Sequence, residues 1–118
     1  MKGVLVLQLL FLIIKRTELV DDIMKALASA GVHGGTAIDS VGMAKSISTM
    51  DNLPTIGFLR EMLKGSDPAL KGKMILVAVE DSQVEIAKEA ILSITGDLDI
   101  PNAGVLFGVP ITFALGIK

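Results

Sequence analysis

The chain predicts one α+β domain of ferredoxin-like βαββαβ order, an antiparallel sheet with two helices on one face and a long loop between strands 2 and 3. Three observations predict it. Two strand–helix–strand patterns follow one another, with helices of similar length. Between Met43 and Lys73 no strand pattern appears, a gap far longer than a hairpin needs. The 118 residues are 51% apolar and 20% charged, enough to build one core and too apolar for a disordered chain.

The first strand is the run Lys2–Ile14, and its continuous apolar character suggests burial on both faces. Thr17 is placed to cap a helix reaching Ala30. Leu19, Val20, Ile23, Met24, Leu27 and Ala30 recur there at helical spacing, and Glu18, Asp21 and Asp22 suit the positive end of its dipole. Gly31 ends that helix because glycine adopts the left-handed conformation cheaply.

Thr36–Val41 is the second strand, opened by Gly34-Gly35. Inside the long loop, Pro54–Lys64 has the pattern of a short helix, with Ile56, Leu59, Met62 and Leu63 on one stripe; Gly65 and Ser66-Asp67-Pro68 stop it. Lys73–Val79 is the third strand. Ser82 and Glu85 have the spacing of a capping box for a second helix to Ile94, with Val84, Ala87, Ile91 and Ile94 inward. A loop from Thr95 to Gly104 leads into the fourth strand, Val105–Val109. The apolar tail from Pro110 to Ile117 is expected to form a short helix and an edge strand.

Composition excludes several classes of function. Net charge is −2 with no basic run, so nucleic acid is not an expected partner. There is no cysteine, hence no disulfide or thiolate chemistry, and no Trp or Tyr. The apolar segment Gly3–Ile14 is shorter than the roughly 20 residues that span a bilayer, contains Gln8, and precedes no small-residue cleavage site. No membrane insertion is expected. The expected location is cytoplasmic, a signal peptide being the alternative. The high apolar fraction predicts that part of the surface packs between subunits.

No catalytic constellation is present. His33 is the only histidine and lies in a glycine turn, far from a Ser-His-Asp arrangement, and paired carboxylates have no evident apolar cleft. An enzyme is therefore not expected. Asp97 and Asp99, with Asn102 nearby, are weak metal candidates: they offer oxygen donors but lack the spacing of a calcium loop, and a solvated turn is the plainer reading. Gly34-Gly35 and Gly42 fit two compatible readings, turn geometry and a close backbone approach to a ligand.

Several of these residues resemble the PII (nitrogen regulatory, P-II) signalling family. The resemblance rests on Asp21-Asp22-Ile23, Ala26-Leu27, Gly31-Val32-His33-Gly34-Gly35-Thr36 and the strand exit Gly42-Met43-Ala44-Lys45, supported more weakly by Val79–Val84 and Thr95-Gly96. It implies a homotrimer of ferredoxin-like subunits with an adenine nucleotide or related anion in clefts between them. It also implies a projecting loop, residues 46–71, that engages a transporter or enzyme. Carried over, Gly35, Thr36, Gly42, Met43, Ala44 and Lys45 line the cleft from one subunit, with Asn102, Ala103 and Gly104 across it. Ile56, Leu59, Met62 and Leu63 form the stripe of this partner loop; a stripe in a loop this long fits a partner-docking helix, and equally one that folds back on the subunit or closes over the cleft.

The chain departs from the family's pattern at three places. It has no Tyr for the family's loop modification, Asn102-Ala103-Gly104 stands where the family has Gly-Asp-Gly-Lys, and after Gly96 the only cation is Lys118. Triphosphates need several positive or amide donors, so the expected effector carries less charge than ATP. The expectation is a divergent, non-enzymatic, PII-like sensor. The alternative is a structural or adaptor trimer of the same fold, similar to the CutA-like proteins, without a nucleotide site.

Overall fold

A computed structural model describes residues 6–43, 72–101 and 103–117. Strands β1 (Leu7–Ile14), β2 (Thr36–Ser40), β3 (Gly72–Glu80) and β4 (Val105–Ile111) form one sheet in the order β2-β3-β1-β4. Every neighbouring pair is antiparallel. Helices α1 (Val20–Ser29) and α2 (Val84–Thr95) pack against each other over one face. This is the ferredoxin-like α+β arrangement.

The register sorts the side chains into two faces. On the helix side, Leu10 pairs with Val77 and Leu12 with Ile75. These residues, with Ile14 and Val79, are buried against Ile23, Leu27, Ala87 and Ile91. The alternate residues Leu9, Phe11 and Ile13 face away from the helices, and Ile13 keeps 38% of its surface exposed. The continuous apolar run of β1 suggested two buried faces, but within one chain only one is covered, because both helices lie on the same side.

The turn after α1 forms as glycine at position 31 predicts. Gly31 has φ +84°, its N–H donates to the Ala28 carbonyl at 3.0 Å, and the Val32 N–H reaches back to the Leu27 carbonyl at 2.9 Å. This Schellman arrangement satisfies orphan carbonyls and buries Val32.

Four local expectations are corrected. Thr17 does not cap α1: it opens a 3₁₀ turn, Thr17–Leu19, and its own N–H is held by the Lys15 carbonyl at 2.9 Å. The capping box of the second helix is Glu80 with Gln83, not Ser82 with Glu85. A 3₁₀ turn, Asp81–Gln83, starts the helical path earlier, and the Glu80 N–H donates to Gln83 Oε1 at 3.1 Å. Strand β2 ends at Ser40, one residue short of the expected Val41. Residues Pro110 and Ile111 belong to β4, and 112–117 form neither helix nor strand, with Phe113 and Leu115 almost fully exposed. In one chain the tail meets no face that would bury it.

Candidate functional site

The site residues fall at two places on the sheet. Thr36 opens β2, opposite Leu76, and is exposed on the face away from the helices. Gly42 and Met43 follow the far end of the same strand, and Met43 is 78% exposed. Ala103 and Gly104 lead into β4, where Val105 pairs with Ile13. Strands β2 and β4 are the two outer strands, with β3 and β1 between them. Three strand spacings of about 4.8 Å set these edges roughly 14 Å apart. Of the residues expected from one subunit, Gly35, Thr36, Gly42 and Met43 therefore lie at the two ends of β2, and Ala103 and Gly104, expected across the cleft, lie at the opposite edge of the sheet. Ala44, Lys45 and Asn102 lie outside the described residues, as do Ile56, Leu59, Met62 and Leu63.

The glycines differ in what they make room for. A Cβ on Gly42 would meet nothing within 4 Å, so that backbone is open to solvent. A Cβ on Gly35 would come 3.0 Å from the Met24 sulfur, so the missing side chain accommodates α1. Gly104 has φ +139°, and a Cβ there would lie 2.7 Å from the Ile13 carbonyl oxygen and 3.0 Å from Ile14 Cγ2. Its backbone is pressed onto β1. Ala103 is 9% exposed and its N–H donates to the Ile100 carbonyl at 3.1 Å, closing the turn before β4.

The loop between Gly96 and Gly104 is held from its base by a contact that sequence reasoning missed. Arg16 Nη2 donates to the Thr95 carbonyl oxygen at 2.6 Å, satisfying one of the orphan carbonyls where α2 ends, and its charge suits that end of the dipole. Inside the loop, Asp97 Oδ1 accepts the Asp99 N–H at 2.9 Å, and both carboxylates are exposed. Among the described residues no group of three or more potential ligands comes together around a metal site. His33 is exposed. Near the end of the β2–β3 pair, Lys73 and Asp39 are register partners and form an ion pair. Gly72 beside them has no room for a side chain, with Ser40 Oγ 2.7 Å from its Cβ position.

Among the described residues, the open face of the sheet is an apolar surface. Leu9, Phe11 and Ile13 on β1 alternate with the buried set, as do Met74 and Leu76 on β3. Val105, Phe107 and Val109 share that face on β4, and Ile38 does so on β2. Phe11 and Phe107 stack with ring centroids 4.9 Å apart. Val105 is 55% exposed, and Ile38 and Phe107 are each 43% exposed. No helix among the described residues is long and apolar enough to cross a membrane.

Neither a protein-family profile nor a curated protein matches the chain. Among solved structures, the chain is similar to Arabidopsis thaliana PII bound to citrate. The TM-score is 0.61 at 17% identity, covering 90% of this chain and 78% of that one. The likeness shows a PII-like fold.

Proposed function

We propose that the chain is a non-enzymatic, PII-like regulator that self-associates as a homotrimer and binds a small effector between subunits. The effector class is an adenine nucleotide or a related anion of lower charge, and the loop of residues 46–71 carries the response to a protein partner. One observation supports this reading above others: the described members of the two expected groups, Gly35, Thr36, Gly42 and Met43 on one side and Ala103 and Gly104 on the other, flank opposite outer strands of one sheet. No single chain brings them together, whereas a ring of copies joins the β2 edge of one to the β4 edge of the next. The open apolar face is the surface such an assembly would bury, and burying it would give β1 the second cover that its sequence anticipates. The similarity in fold to a citrate-bound PII protein is consistent with a small anionic ligand.

The test has two steps. Sedimentation of the full chain is expected to give a trimer, and Phe107→Asp, which puts a charge on the open face beside Phe11, is expected to give a monomer. A thermal-shift panel of ATP, ADP, AMP, cyclic nucleotides and bicarbonate then addresses the effector. A ligand at ten times its Kd stabilises by about 1.4 kcal/mol, an upward shift of several degrees for a domain of this size. Thr36→Ala and Lys45→Ala should reduce that shift. A trimer unmoved by any of these compounds at millimolar concentration would overturn the sensor reading.

That outcome would favour the second reading, a structural or adaptor trimer of the CutA-like kind. A specific observation points to it. Ala103 is buried and Gly104 is packed on β1, so the segment that stands where the family grips phosphate is engaged in packing.

A further inference from the structure

The helix side of the sheet is not fully covered. Helices α1 and α2 bury β1 and β3, but β4 is an outer strand, and its helix-side residues are a half-buried Leu106 followed by exposed Gly108 and Pro110. A groove of about 260 Å³ runs between α2 and β4, lined by Gln8, Leu10, Val84, Lys88 and the β4 segment Leu106-Phe107-Gly108. Gly108 keeps it open: a Cβ there would lie 2.9 Å from Gln8 Oε1 and 3.0 Å from Leu10 Cδ2. The groove is separate from the site discussed above. Gly108 lies four residues along β4 from Gly104, roughly 13 Å in an extended strand, and the groove opens on the helix side, away from the apolar sheet face.

Two polar groups give it a chemistry. Gln8 Nε2 donates to Asp81 Oδ1 at 2.8 Å. A carboxylate only accepts, so this bond fixes which end of the amide is which and leaves Oε1, an acceptor, directed at the space beside Gly108. Lys88 carries three N–H donors, of which one reaches Glu85 Oε1 at 3.2 Å. Leu10, Val84 and Leu106 supply apolar walls between them. Asp81 and Glu85 place two negative charges beside these groups, which disfavours a ligand with more than one.

We infer that this groove is a second small-molecule site, for a short aliphatic monocarboxylate that also carries a hydroxyl or amino donor. The carboxylate pairs with the free donors of Lys88, the hydroxyl or amino group donates to Gln8 Oε1, and the hydrocarbon body lies along Leu10, Val84 and Leu106. The volume suits a molecule of this size and is too small for a nucleotide.

The test is an amide-resolved NMR titration of the full ¹⁵N-labelled chain with 3-hydroxybutyrate, alongside butyrate, which lacks the donor, and 1,3-butanediol, which lacks the charge. Saturable shifts are expected at Gln8, Val84, Lys88 and Gly108, with both control compounds binding more weakly. Lys88→Met should weaken 3-hydroxybutyrate about tenfold, the scale of one lost charge-assisted contact. Gly108→Ala should abolish binding while the chain stays folded, since the new methyl meets only the far ends of Gln8 and Leu10. Val84→Phe, filling the groove from the helix, is the second blocking variant if the first does not fold. Shifts that fail to saturate, that scatter outside the groove, or that persist unchanged in Lys88→Met and in a folded blocking variant would overturn the assignment.

Discussion

Gly104→Ala separates a packing role from a ligand-cradling role. Two costs add at this position. The backbone holds φ +139°, a conformation that costs a side-chain-bearing residue about 1–2 kcal/mol. The new Cβ would also lie 2.7 Å from the Ile13 carbonyl oxygen and 3.0 Å from Ile14 Cγ2. The first of these is main chain of the inner strand β1, paired on both sides, and cannot easily move aside, so overpacking adds about 1–3 kcal/mol. The sum is about 2–5 kcal/mol. Gly31→Ala is the control: φ is +84°, but no atom lies within 4 Å of its Cβ position, so only the conformational part applies, about 1 kcal/mol. Gly42→Ala, with open space and no positive φ, should change stability by less than about 0.5 kcal/mol. Urea denaturation of the three variants, at equal protein concentration because self-association would shift all midpoints, gives the comparison directly. A Gly104→Ala loss no larger than that of Gly31→Ala would refute the claim that Gly104 is held against β1.

Other outcomes follow from the same contacts. Gln83→Ala removes both the acceptor for the Glu80 N–H and a long donor contact to the Gly31 carbonyl, and should cost about 1 kcal/mol in denaturant, while Ser82→Ala should cost almost nothing. Leu12→Ala, at 1% exposure in the middle of the core, should cost about 2–5 kcal/mol by the same assay. Lys73→Met breaks an exposed ion pair and should change stability by less than about 1 kcal/mol, with any difference shrinking in high salt. Arg16→Ala should speed amide hydrogen exchange in residues 96–101 ahead of the rest of the chain, because it frees the end of α2 from its anchor.

The strand and helix positions were legible for different reasons: β1 stands out as a continuous apolar run, and Ile23 and Leu27 recur at one helical turn, but the alternation of Leu10, Leu12 and Ile14 into the core appears only in the fold. What escaped notice depended on contacts between distant segments. Arg16 and Thr95 are 79 residues apart, and nothing local to Lys15-Arg16 marks the second as a helix-end anchor. Gly35 stood out as a glycine, but its partner is the sulfur of Met24 on another element. The capping box was displaced by two residues because Ser82-x-x-Glu85 and Glu80-x-x-Gln83 overlap, and the preference for serine at a cap chose the wrong one. A 3₁₀ turn at Asp81 decided otherwise. The groove beside Gly108 left no trace in the pattern, since it arises from what α2 does not cover.

The division of the site residues between the two outer strands has a genetic consequence. If each binding site takes one wall from each of two neighbours, a lesion on the β2 edge and a lesion on the β4 edge are defects in different halves of the same boundary. Chains carrying one lesion each, mixed equally, would restore roughly a quarter of the boundaries, those where two sound edges meet. Two lesions on the same edge would restore none. Complementation between alleles would therefore map the residues onto edges without any structure at all.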